Sequence, residues 1–215
     1  MTALLWLRRD LRLHDLPALL AAHEAGGDVL PVFVADPTLL GSAGPVRPAY
    51  LHAALAAAQE SYDGAIVIRA GRPEAVIPAL AREVAATSVH VNRETTPYGR
   101  RRDRRVEGAL GDVPLVTTGT PYAPGPGVVR KGDGRPFQVF TPFSRAWLEH
   151  GWHSPAPVLT GLRLQQGVCQ NPCPGKATTV RSPWRPVGRR PRTPVGRSSS
   201  TSTRRITAAT GTGQT

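Results

Sequence analysis

No Asp or Glu follows Glu149, so all 15 acidic residues of this 215-residue chain fall in its first part. A formal charge of +12 and a pI near 11.2 would ordinarily point to polyanion partners. The distribution argues against that reading for the first 150 residues, which are close to neutral. The basic excess belongs to residues 151–215. Cysteine is scarce as well: Cys169 and Cys173 stand in "CQNPC" with no second pair and no nearby His. That makes a weak metal signal, and ordinary thiols are the expectation. No run approaches the ~20 apolar residues of a membrane span. The opening "ALLWL" is cut short by Arg8 and Arg9, so it is no secretory segment. A cytoplasmic protein with no membrane contact and no obligate protein partner is the expectation.

Also missing are the common signatures of bound phosphate and of acyl transfer. There is no G-x-x-x-x-G-K-[ST], no G-x-G-x-x-G after the first apolar run, and no G-x-S-x-G. "GSAGP" and "KGDGRP" are more economically read as turns. No catalytic residue and no metal ligand is expected.

What is present is alternation. "ALLWL" (3–7), "VLPVFVA" (29–35), "AIVIRA" (65–70), "SVHVN" (88–92) and "VPLVTT" (113–118) are short and rich in Val, Ile and Leu. Near-continuous apolar runs of that length read as strands buried on both faces of a parallel sheet. Between them lie Ala-rich stretches with helical spacing. "DLPALLAAHEAGG" offers Asp15 as an N-cap and Pro17 in the first turn. "RPAYLHAALAAAQESYDG" sets Tyr50, Leu51, Leu55 and Ala58 along one stripe. "RPEAVIPALAREVAA" and "RRRDRRVEGALG" supply two more helices. The pattern predicts an α/β fold: a doubly wound, five-stranded parallel sheet of Rossmann-like type. It covers residues 1–120. Residues 121–157 form a Gly/Pro-rich connector ending in a short helix, "TPFSRAWLEHGW", capped at Thr141 and packing Phe143, Trp147 and Leu148. Residues 158–215 are expected to be an irregular or disordered basic tail.

Ligands of open parallel sheets bind beyond the carboxyl ends of the strands. The segments there are "RRD", "DPTLLG", "GRPE" and "RETTPYGR", which gather Arg8, Arg9, Asp10, Asp36, Arg93, Glu94 and Tyr98. Residue chemistry alone stops at a nucleotide-like crevice without nucleophile or metal. From position alone, mutual pairing of these charges, with capping of the helices, is the plainer reading.

Three ordered stretches carry a resemblance. "LLWLRRDLRLHDLPALLAA" (4–22), "NRETTPYGRRRDRRVE" (92–107) and "KGDGRPFQVFTPFSRAWLEHGW" (131–152) resemble the DNA photolyase/cryptochrome family, with Leu16 where that family commonly has Asn. The resemblance implies the N-terminal antenna domain of a class I deoxyribodipyrimidine photolyase, a light-dependent DNA repair enzyme. It also implies a deazaflavin or folate antenna, held by the loop 36–47 and the loop after the fourth strand. Asp36, Arg47, Arg93, Glu94 and Tyr98 are the expected contacts. In the family FAD sits in a C-terminal helical domain and damaged DNA is the substrate. Nothing in this chain resembles that domain, so the chain is expected to be inactive alone. The alternatives are a stand-alone nucleotide- or flavin-binding module, a cryptochrome-like photoreceptor fragment, and a nucleic-acid binder acting through its tail.

The tail stops resembling the family. Its composition, dominated by Arg, Pro, Gly, Ser and Thr, is what G/C-rich codons give when read out of frame. Residues 201–215, "TSTRRITAATGTGQT", have codons whose shifted frame accommodates "LDAAYHRRDRDRPD", close to a Tyr/Arg-Asp/Pro-Asp pattern of the family's next helix. A frame shift between about residues 157 and 190 is therefore the expectation for a C-terminally truncated chain.

Overall fold

A computed structural model describes residues 1–168. The elements follow the chain as β1 (Thr2–Leu7), α1 (Pro17–Glu24), β2 (Asp28–Ala35), α2 (Pro37–Leu40), α3 (Val46–Ser61), β3 (Val67–Ala70), α4 (Pro73–Glu83), β4 (Ala86–Val91), α5 (Pro97–Ala109), β5 (Leu115–Thr117) and α6 (Phe140–His150). Four of the helices open on proline: Pro17, Pro37, Pro73 and Pro97. Proline is favourable there because its missing N–H would have no intrahelical partner anyway.

The strands form one sheet in the order β3-β2-β1-β4-β5, every pair parallel. Alternate residues of β1 feed opposite layers. Ala3, Leu5 and Leu7 join Leu19 of α1 and Leu55 of α3, while Leu4 and Trp6 join Ile77 and Leu80 of α4 and Val106 of α5. This is the doubly wound arrangement expected from the apolar runs. Strand order reverses at β1, whose neighbours β2 and β4 are reached by crossovers on opposite faces. A crevice opens at such a reversal.

Several local expectations are corrected. Asp15 is not the cap of α1; that position is Leu16, which caps nothing. Asp15 has φ 51° and uses its carboxylate to accept the Ala156 N–H at 2.7 Å and to pair with Arg12 at 3.4 Å. Thr141 does not cap α6 either, since the helix begins at Phe140 behind Val139. Its aromatic residues meet near neighbours rather than a core: Phe143 lies edge-on to Phe137, and Trp147 lies 5.3 Å from Trp152. Leu148 is 65% exposed. On α3, Leu55 and Ala58 are buried as expected, but Tyr50 is exposed. The four-residue α2, which the sequence pattern did not suggest, forms because Asp36 caps it through the Thr38 N–H.

Residues 158–168 contain no helix or extended strand, yet several of them are held. Leu159, Leu162 and Leu164 pack against the α1/α3 layer. The Val29 N–H donates to the Arg163 carbonyl at 2.8 Å, and the Gln165 N–H donates to the Val29 carbonyl at 2.9 Å. The reason lies in the sheet: β3 pairs with β2 only from Val32 onward, so the start of β2 would otherwise leave buried backbone groups unpaired. Cys169, Cys173 and the rest of the expected basic tail lie outside the described residues.

Candidate ligand cavity at the carboxyl ends of the strands

β1 ends on Trp6 and Leu7, and the chain turns out through Arg8 and Arg9. The Trp6 ring carries two guanidinium groups, Arg8 at 5.1 Å and Arg102 at 4.9 Å from its centroid. Both are anchored by one carboxylate. Asp103 accepts from Arg8 Nη1 at 2.6 and 2.7 Å and from Arg102 Nε and Nη2 at 3.0 and 2.8 Å. Arg8 also donates to the Asn92 carbonyl. Burial pushes the Arg8 guanidinium below its ordinary value, against the opposing charge of Asp103. The cluster fixes the planes of two cations over an indole, which shapes one wall of a cavity of about 500 Å3.

Asp36 and Tyr98 add to the same lining, with the Arg102 guanidinium also 5.9 Å from the Tyr98 ring centroid. Asp36 is 5% exposed; one carboxylate oxygen accepts the Thr38 N–H at 2.9 Å, and the other accepts the Tyr98 hydroxyl. That bond joins the N-cap of α2 to the first turn of α5. Burial, and then the Asp36 carboxylate, push the Tyr98 phenol up, so it remains a donor. Glu94 closes the floor. Its Oε1 accepts the Thr95 and Thr96 N–H groups at 2.9 and 3.1 Å, and its Oε2 meets Arg9 Nε at 3.3 Å. Burial pushes its carboxyl up, but those N–H bonds and the charges of Arg9 and Arg8 prevail and hold it below the ordinary carboxylate range. Gly99 makes room for it: a Cβ there would stand 1.8 Å from Glu94 Cγ.

Of the five residues expected from sequence, Asp36, Glu94 and Tyr98 line this cavity together. Arg47 and Arg93 do not line it. Arg47 is exposed on α3, and Arg93 is exposed beyond β4 with its N–H bonded to the Gly119 carbonyl at 3.1 Å. Arg93 instead borders a pocket of about 20 Å3, shared with Asp10 and Asn92. There Asn92 donates to Asp10 at 3.3 Å while its buried Oδ1 has no protein partner, and the space suits one water. Burial, opposed by Arg12, raises the Asp10 carboxyl.

Sequence reasoning did not place Trp6, Arg102 or Tyr50 in the crevice; Tyr50 was expected only on the inward stripe of α3. Arg102 was within reach, because Gly99, Arg102 and Val106 recur at helical spacing and form the buried stripe of α5. Trp6 was hidden inside an apolar strand run. Phe33, Leu39, Tyr50 and Leu51 complete an apolar lining, with Tyr50 and Leu39 exposed at the rim. Among the described residues no cluster of His, Cys, Asp or Glu could hold a metal ion. An apolar cavity with a few fixed polar groups binds and orients a molecule. Its donor set suits a flat conjugated ring: apolar walls, two anions that accept ring N–H or O–H groups, and guanidinium planes.

The chain resembles known proteins over most of its length. Residues 3–160 match the family model for DNA photolyase. A deoxyribodipyrimidine photo-lyase from Synechococcus is 35% identical over 168 residues, which cover 75% of this chain and 34% of that protein. One from Thermus thermophilus is 40% identical over 175 residues, covering 80% of this chain and 40% of that protein. Among solved structures, a class III photolyase from Agrobacterium tumefaciens superposes with a TM-score of 0.61 at 31% identity, over 76% of this chain and 37% of that one. A Synechocystis cryptochrome, at 24% identity and a TM-score of 0.60, shares the fold over 77% of this chain and 39% of its own. The chain thus spans between about a third and two fifths of the length of these relatives. By its sequence match and by its parallel sheet, the chain belongs to the DNA photolyase family.

Proposed function

We propose that this chain is the antenna-binding portion of a light-dependent DNA repair photolyase. Its cavity would hold a planar light-harvesting chromophore of the deazaflavin or folate class. The observation that carries the reading is the cavity itself: about 500 Å3, apolar, at the sheet's reversal point, with Asp36, Glu94 and Tyr98 on its wall. That volume is within the range of small-molecule sites. When bound, such a chromophore supplies absorbed energy to FAD, which in the family sits in a separate helical domain. Damaged DNA is then the substrate of the whole enzyme.

The chain's own residues bind and orient. Glu94 stays ionised at neutral pH and accepts hydrogen bonds. The Asp36–Tyr98 bond keeps α2 and α5 together, so the cavity does not depend on the ligand for its shape. The Trp6–Arg8–Arg102 cluster excludes water from one side and provides a flat cationic surface.

The test is retention by the full chain. Incubated with a deazaflavin and, separately, with a folate, then passed through gel filtration, the protein should carry near-ultraviolet or blue absorbance with one of them. Asp36→Ala, which removes the acceptor for Tyr98 and the cap of α2, should weaken that retention by tenfold or more. Retention of a mononucleotide with neither chromophore would overturn the reading in favour of a nucleotide-binding module.

A further inference from the structure

Residues 100–105 of α5 read Arg-Arg-Arg-Asp-Arg-Arg, a run in which one acid stands among five bases. The fold sorts this run by direction. Arg102 turns inward, with a side chain 7% exposed, and takes Asp103 with it into the Arg8 cluster. Arg105 pairs with Glu74 of α4 at 3.2 Å. Arg100, Arg101 and Arg104 are left exposed, and among the described residues none of them forms an ion pair. Glu107, the exposed carboxylate further along α5, pairs with none of them either. The acid that neutralises the run on paper is spent inside the molecule.

Helical winding sets the three arginines within about 100° of arc and about 6 Å along the axis. Like charges one turn apart destabilise a helix, so the stripe does not serve folding. The guanidinium fork fits phosphate oxygens in pairs, and a line of forks fits a line of phosphates. On the same arc stand Pro97, Gly108 and the carboxylate of Glu107, one acid against three arginines, and no large apolar side chain. An interfacial membrane helix needs such side chains to insert, so a lipid surface fits poorly.

We propose that the outer face of α5 is a nucleic-acid contact, with Arg100, Arg101 and Arg104 gripping the phosphate backbone of duplex DNA without reading its sequence. The choice of DNA among polyanions rests on the photolyase reading; the net basic charge of the stripe does not. The contact is separate from the cavity, since none of the three lines it.

The experiment measures binding of the full chain to an undamaged 20-base-pair duplex by fluorescence anisotropy between 50 and 200 mM salt. Each phosphate contact adds about 0.9 to the slope of log K against log salt. The triple variant Arg100→Ala, Arg101→Ala, Arg104→Ala should therefore lower the slope by about 2 to 3 and weaken binding at least tenfold at 100 mM salt. The corresponding triple Lys variant should keep the slope, because charge rather than shape carries it. A control variant, Arg189→Ala, Arg190→Ala, Arg192→Ala, separates the basic C-terminal residues. If that control alone loses slope and the α5 variant keeps it, the inference is overturned. It is also overturned if the α5 variant binds duplex as the unaltered chain does but leaves vesicles containing phosphatidylserine. Chromophore retention measured on the same α5 variant should be unchanged. Failure of the DNA contact and failure of the antenna reading thus give different results.

Discussion

Along β4, Val89 and Val91 enter the layer formed with α4 and α5, while Ser88, His90 and Asn92 occupy the other face. His90 pairs in register with Leu5 of β1, whose side chain belongs to the α1/α3 layer. One layer of the sheet is therefore mostly hydrocarbon, with α4 packed directly on α5, although Arg69 of β3 and Arg102 of α5 are buried on the same side. The other layer contains a buried polar file: Ser88 Oγ and His90 Nε2 lie 2.9 Å apart, and Asn92 reaches Asp10. His90 Nδ1 and Asn92 Oδ1 have no protein partner. The contrast shows where this fold can tolerate polarity. The file runs toward the carboxyl end of β4, whereas the buried guanidiniums on the α4/α5 side, Arg69 and Arg102, each reach a carboxylate, Glu83 at 3.0 Å and Asp103 at 2.8 Å.

The largest test of that contrast is Ile77→Ala in the hydrocarbon layer. Ile77 is fully buried, and its truncation should cost about 2–5 kcal/mol, read as a lowered urea midpoint with unchanged slope. A loss under about 1 kcal/mol would mean the layer repacks and is less tightly filled than it looks. Next comes Asp103→Ala, where the α4/α5 layer meets the cavity. It strips the common partner from two guanidiniums whose side chains are 10% and 7% exposed. Destabilisation of about 2–3 kcal/mol is expected, reduced from the fully buried case by residual solvent. Loss of chromophore retention should accompany it.

A smaller effect sharpens the polar side. Burial holds the His90 imidazole below its ordinary 6.5. The folded state thus keeps it neutral while the unfolded chain takes up a proton. Its contribution is intact above pH 6.5 and is lost as pH falls from there through the lowered value. His90→Gln should flatten the decline in stability between pH 6.5 and about 5, above the ordinary range of the carboxylates. Parallel pH profiles for the two proteins would show that His90 is not the group responsible. The smallest change expected is from Leu164→Ala, about 1 kcal/mol, because this half-buried side chain covers the edge of the α1/α3 layer. A loss as large as that of Ile77→Ala would make residues 159–165 part of the core rather than its cover.

Much of this was legible beforehand. Five apolar runs without alternation required burial on both faces, which a parallel sheet with helices on both sides supplies. The same rule pointed to the carboxyl ends of the strands, where Asp36, Glu94 and Tyr98 line one cavity. Arg47 and Arg93 came from the same loops but face elsewhere, since position in a loop does not give direction. The caps at Asp15 and Thr141 misled because a good capping side chain can be claimed by another partner, as Ala156 claims Asp15.

Composition and period by themselves determined the layers of this protein, because the need to bury each apolar run is local to that run. They could not determine which charges would neutralise one another. Arg8 meets Asp103 across 95 residues, and Arg163 meets Asp28 at 3.1 Å from a segment whose composition suggested no structure. The near-neutral total of the first 150 residues likewise concealed the stripe on α5. Only the tertiary structure decided that Asp103 faces inward and Arg100, Arg101 and Arg104 outward, because Coulomb pairing depends on distance and burial rather than on the sum along the chain.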